Sequence, residues 1–202
     1  MELSAELLEG RHVRLEPAGP DMRDELRAAL DCDPEAWAIQ FANGRGDAFS
    51  GYWAGMLTPN PPGSRIAYGV RLRSSGRLVG TTSFHHISSA NCTVEIGSTF
   101  YRPEVRGTAV NPETKLLLLE YAFSRGALRV QLTVDSRNER SQAAVAKLGA
   151  VREGVLRRHL VTWTGHLRDT VVFSIIDSEW PDVRERLRAR LGASAGVTTE
   201  RL

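Results

Sequence analysis

The sequence predicts an α/β fold, a mixed β-sheet flanked by helices, on three observations. Two β-rich runs at residues 65–73 and 77–84 flank Ser74, Ser75 and Gly76, which predicts an antiparallel hairpin. A strand, an apolar helix and another strand follow over residues 91–135, the pattern of a right-handed crossover between parallel strands. The 202 residues, with 42% hydrophobic and 25% charged side chains, suit one sizeable core and leave no room for a second full domain.

Each element has its own signal. Val13 and Leu15 alternate with polar neighbours in a strand over residues 12–16, and the prolines at 17 and 20 break it before a helix over 21–30. Residues 31–64 have poor periodicity but many aromatics, among them Trp37, Phe41, Phe49, Tyr52 and Trp53, which predicts short helices and loops packed over something. In the strand at 91–101, Val94, Ile96 and Phe100 take one face and Thr93, Glu95, Gly97 and Thr99 the other. Asn111 followed by Pro112 is the preferred order at a helix start, so a helix is expected to begin at Pro112 with Asn111 as its cap and to stop near Gly126. Strict alternation marks a strand from Leu128 to Asp135, and an amphipathic helix spans 138–148. Two more strands, 151–163 and 166–176, join through a turn at 163–166, and Ser178 caps a last helix with Val183, Leu187 and Leu191 on one face. The single domain is expected to cover residues 1–191, with 192–202 as a flexible tail.

Composition excludes several functions. The formal charge is +2, and acids interleave with the arginines, as in Arg137, Glu139 and Arg140, so no nucleic-acid stripe forms. No apolar run is long enough to span a membrane, and the first residues lack the order of a signal peptide, so a cytoplasmic setting is expected. Cys32 and Cys92 stand at no metal-ligand spacing, and no metal is expected.

Chemistry concentrates in residues 101–114, a polar loop that leads into a helix N-terminus. Free N–H groups and the helix dipole favour an anion there, and Arg106 adds a formal charge, so a phosphate or pyrophosphate is the natural guest. The loop lacks the Gly-Lys-Ser/Thr ending of a P-loop. Some thirty residues on, Arg137-Asn138-Glu139-Arg140-Ser141 opens a helix that ends in Lys147-Leu148-Gly149-Ala150, followed by Arg152-Glu153-Gly154. With residues 79–84 and 95–111 before them, these blocks resemble the GNAT superfamily of acyl-CoA-dependent N-acetyltransferases, in particular the branch of ribosomal-protein N-terminal acetyltransferases. The resemblance runs from Leu8 to about Ile176.

The resemblance implies a twisted mixed sheet whose strands at 91–101 and 128–135 splay apart. Acetyl-CoA would lie in the gap, its pantetheine on backbone groups near Ser98, Thr99 and Phe100 and on Asn138. Its pyrophosphate would sit on Arg106, Gly107, Thr108, Ala109, Val110 and Asn111. The family's Arg/Gln-x-x-Gly-x-Gly/Ala loop is altered here, because Ala109 and Asn111 occupy the later small positions and a capping Asn111 would rearrange the mouth. The tyrosine that many members place seven residues after the asparagine is Val145 here.

Acyl transfer to an amine needs a neutral amine, a polarised carbonyl and a proton for the departing thiolate. Glu95 is the candidate base, with partial burial expected to raise its pKa, and the alternative is a solvent-facing strand glutamate. Ser141 is the candidate donor to the leaving sulfur, against a serine hydrogen-bonded within its first turn. His85, His86 and His159 are further candidate bases, with His85 and His159 placed at the acceptor, and Trp37 and Trp53 could line its pocket from the aromatic segment. The expected partners are acetyl-CoA and a primary amine, a protein N-terminus or a small molecule, with a homodimer left open. A non-catalytic acyl-CoA-binding module is the reading from a different class.

Overall fold

The structure is a computed structural model that describes residues 1–59 and 61–195. Among the described residues one eight-stranded sheet runs in the order β1, β2, β3, β4, β5, β6, β8, β7. The strands are β1 (Leu8–Glu9), β2 (Val13–Pro17), β3 (Ile66–Leu72), β4 (Leu78–Ser88), β5 (Thr93–Tyr101), β6 (Arg129–Asp135), β7 (Val151–Val161) and β8 (Leu167–Ile176). The helices are α1 (Arg23–Leu30), α2 (Pro34–Trp37), α3 (Phe49–Leu57), α4 (Val110–Ser124), α5 (Glu139–Ala146) and α6 (Trp180–Ala195). β5 and β6 are parallel and the other neighbours antiparallel, so the sheet is mixed as expected. No described helix is long and apolar enough to cross a membrane.

Two apolar clusters cover the sheet. On one face Leu116, Leu118 and Leu119 of α4 and Val183 and Leu187 of α6 pack with Val94, Ile96, Val130 and Leu132. On the other, Leu26 and Leu30 of α1, Trp37 of α2 and Phe49, Trp53 and Met56 of α3 pack with Phe100. The predicted face of β5 is therefore broken, since Val94 and Ile96 lie on the α4 side and Phe100 on the opposite side. A β-bulge is the cause. Ser83 pairs with Gly97 and Thr81 with Phe100, so Ser98 and Thr99 stand opposite Thr82 alone. Ser98 takes a positive φ of 47°, and the extra residue flips every later side chain to the other face.

Several boundaries differ from expectation, among them the end of β4 at Ser88 and the start of α6 at Trp180, two residues past Ser178. α4 begins at Val110 with Ala109 as its N-cap and no side-chain cap, so Asn111 and Pro112 lie inside the first turn. Proline is tolerated there because first-turn N–H groups have no intrahelical acceptor. α6 continues to Ala195, and the rest of the expected tail, residues 196–202, lies outside the described residues.

The N-terminal strands are tied to α4 by a buried carboxylate. Glu113 accepts the backbone N–H groups of Arg11 (2.9 Å), His12 (2.6 Å) and Val13 (2.7 Å). Gly10 allows this approach, since a Cβ there would stand 2.5 Å from Glu113 Cδ. The start of β2 thus holds the helix whose N-terminus faces the site.

Candidate active site

The site is the gap between β5 and β6. Their ladder holds only Thr93 to Arg129, Val94 to Val130 and Glu95 to Gln131. Beyond Glu95 the bulge turns β5 away, while β6 stays paired with β8 as far as Asp135 and Thr170. The strands diverge and a cavity of about 270 Å³ opens between them. Ile96, Leu132 and Val134 line it on the α4 face, and Thr133, Asp135 and Arg168 on the face that carries α1 to α3. It therefore reaches both sides of the sheet.

At one mouth lies the loop before α4. Gly107 has φ of 79°, where a glycine is favoured, and a Cβ would meet nothing within 4 Å. Among the described residues the N–H groups of Gly107, Thr108 and Ala109 have no protein acceptor, while that of Val110 is taken by Thr108 Oγ1 at 3.3 Å. Free donors at the positive end of a fifteen-residue helix make an anion cradle. Arg106 contributes less charge than expected. Its guanidinium donates to the Tyr101 carbonyl (2.7 and 3.0 Å), pairs with Asp33 and lies over the Phe100 ring. Asp33 neutralises it, and Arg140, which no sequence signal singles out, is the other arginine lining this side.

Ser98, Thr99, Phe100, Arg106, Gly107, Asn111, Asn138 and Ser141 all line the cavity. Thr108, Ala109 and Val110 contribute backbone only, with the Val110 side chain in the core. Asn138 Oδ1 accepts the Ser141 N–H at 3.0 Å and caps α5, which leaves its amide NH₂ for another partner. Ser141 Oγ makes no hydrogen bond to a described residue. Glu95 sits at the apex where the strands part. Its carboxylate accepts from Thr133 Oγ1 (2.6 Å) and Gln131 Nε2 (3.3 Å), and its side chain is 13% exposed. It lies behind Thr133, which lines the cavity.

The four expected acceptor residues stand elsewhere. Trp37 is buried, stacks on Phe100 at 4.9 Å and donates its indole N–H to the Leu30 carbonyl. Trp53 stacks on Phe49 in the same core. Large flat rings gain most by filling a core, so the wall that the segment presents to the cavity is Ala36, Ile39 and Gln40. His85 shares a hydrogen bond with Ser98 Oγ (2.9 Å), and burial pushes its pKa down to about 3, which leaves it neutral and a poor base. His159 is exposed on β7, shares a hydrogen bond with Thr170 and is not among the residues that line the cavity.

Two further cavity residues escape a reading of the sequence. Lys115 is buried among the leucines of α4 and donates to Thr99 Oγ1 at 2.7 Å, and burial lowers its pKa to about 7. A signal for it exists, as one of two lysines in the chain inside an apolar helix. Arg168 of β8 is the other, hidden in an ordinary alternating strand.

The site is thus built of a strand bulge, free N–H groups at a helix start and a parallel pair that splits. A model of the acetyltransferase (GNAT) domain matches residues 12–151, and the chain belongs to this family, whose acyl donor is acetyl-CoA. An uncharacterized N-acetyltransferase of Bacillus subtilis (strain 168), YoaA, is 32% identical over 112 residues, which are 55% of this chain and 62% of that protein. Among solved structures, a candidate acetyltransferase from T. thermophilus is 37% identical with a TM-score of 0.84, over 95% of this chain and 100% of that one. Mycobacterium smegmatis RimJ in complex with CoA-disulfide shares the fold at 21% identity and a TM-score of 0.76, over 88% of each chain.

Proposed function

We propose that this protein transfers the acetyl group of acetyl-CoA to a primary amine. The observation that carries the reading is the cavity that reaches both faces of the sheet, with the anion cradle at one end. Amine and thioester must meet within about 3 to 3.5 Å, and a passage entered from two sides lets each arrive without displacing the other. Acetyl-CoA supplies the activated acyl group, and the chain supplies positioning and proton handling.

The N–H groups of Gly107 to Ala109 hold the pyrophosphate, and the unpaired backbone at the Ser98 bulge and the Asn138 NH₂ hold the pantetheine amides. Glu95 takes the ammonium proton by way of Thr133 or a water beside it. Ser141 Oγ, without a hydrogen-bond partner among the described residues, donates to the departing sulfur in place of the missing tyrosine at Val145. An α-amino group, with a pKa of roughly 7.7 to 8.0 against about 10.4 for lysine, asks least of such a base. That favours a protein N-terminus or another weakly basic primary amine.

Thiol release from acetyl-CoA, followed with a panel of N-terminal peptides, free amines and lysine peptides, tests the reading. Release that depends on an α-amine supports it. CoA binding by calorimetry without release on any amine makes the chain an acyl-CoA-binding module instead.

A further inference from the structure

The cations around the cavity differ in how they are satisfied. Arg106 is paired with Asp33, and Lys115 donates to Thr99. Arg168 is 7% exposed and lines the cavity, yet its Nε is buried with no acceptor, and among the described residues its guanidinium forms neither a hydrogen bond nor an ion pair. The nearest candidate partner is already engaged, because Asp135 gives Oδ1 and Oδ2 to Arg137 at 2.9 and 2.7 Å.

Position gives this idle donor set a direction. Val171, Phe173 and Ile175 of β8 point to the α4 side, so Arg168 points to the other, the side on which α1 to α3 lie and from which Ile39 and Gln40 also line the cavity. Glu95 occupies the same side of the sheet and interacts electrostatically with Arg168 without pairing to it. The α1–α3 side of the passage thus holds the Asp135 carboxylate paired with Arg137, the Glu95 carboxylate behind Thr133 and one unpaired guanidinium. A buried guanidinium with open N–H groups matches a planar carboxylate better than any neutral group, since two parallel charge-assisted bonds replace the lost water.

We propose that Arg168 anchors a carboxylate of the acceptor, so that the substrate class is an amine with a carboxylate close by, either a free α-amino acid or a peptide N-terminus bearing an acidic side chain. The ammonium end lies toward Glu95 and the carboxylate on Arg168. This rests on the transfer reading above and narrows its acceptor.

The test pairs acceptors that differ only in the carboxylate: glycine with glycinamide, and peptides beginning with Asp or Glu with their Asn or Gln counterparts. For the intact chain, the acid member of at least one pair should show a kcat/KM tenfold or more above its neutral partner, and the pair that does so identifies the source. In Arg168→Gln that ratio should fall to near one, while Arg168→Lys keeps part of it and the KM for acetyl-CoA stays in place in both. Equal kcat/KM for acid and amide in the intact chain, or an unchanged ratio in Arg168→Gln, overturns the anchor. A binding arm separates this from the chemistry: N-acetylglycine and N-acetyl-aspartyl amide are titrated into the protein holding CoA, against N-acetylglycinamide and N-acetyl-asparaginyl amide. If no amine is acetylated but an acid binds at least tenfold more tightly than its neutral partner and loses that margin in Arg168→Gln, the anchor stands and the transfer reading fails. No difference in binding sinks the anchor as well.

Discussion

Lys115 shows how a single side chain can set a stability profile. Its folded pKa of about 7 lies below the ordinary 10.5, so between those values the unfolded chain binds more protons and stability rises with pH. Lys115→Met should therefore raise the Tm of the ligand-free protein by several degrees at pH 6 to 7. The gain should shrink as the pH approaches 10, and thermal melts across that range read it directly. At the same scale, Glu95→Gln should lower kcat by roughly 10²-fold or more, the usual share of a general base. The deficit should narrow at high pH, where free amine needs no base, and KM for acetyl-CoA should hold. Ser141→Ala should cut kcat without that recovery, and pH–rate profiles of the two variants separate the roles.

At the scale of elements, the loop before α4 and the clasp on its first turns are the critical pieces. Gly107→Asp puts a Cβ where φ is 79° and a carboxylate beside the cradle, so CoA affinity by calorimetry should drop by at least tenfold. Glu113→Ala leaves the N–H groups of Arg11, His12 and Val13 without their acceptor in a buried place. Each lost partner costs about 1 to 3 kcal/mol, so urea denaturation should show a loss of roughly 3 kcal/mol or more. CoA affinity should weaken with it if β2 steadies the helix N-terminus.

For the molecule as a whole, the second core cluster connects the acceptor wall to the sheet. Trp37 joins α1 through Leu30, β5 through Phe100 and the tip of the β7–β8 hairpin through the Trp163 indole, which donates to its carbonyl at 2.9 Å. Trp37→Ala should cost about 3 to 5 kcal/mol by denaturant titration, as for a buried tryptophan. A loss below about 1 kcal/mol would return Trp37 to the pocket and undo its assignment to the core.

The sequence alone determined what is local. The hairpin around Gly76, the apolar α4 and the alternation in β6 follow from hydrophobic period and turn chemistry, which act between residues a few positions apart. The loop before α4 was legible in part: a glycine before a helix start is a short-range pattern, but the helix begins at Val110, two residues earlier than the Asn-Pro signal places it. Only the tertiary structure decided what depends on residues distant in sequence. The bulge at Ser98 is a mismatch between two strands, and it alone moved Phe100 off the face shared by Val94 and Ile96. Arg106 lost its free charge to Asp33, far earlier in the chain, and Trp37 and Trp53 went to the core because partners on other elements closed over them. Arg168 stands open because Asp135 had already been taken by Arg137, a competition among neighbours that no periodicity records.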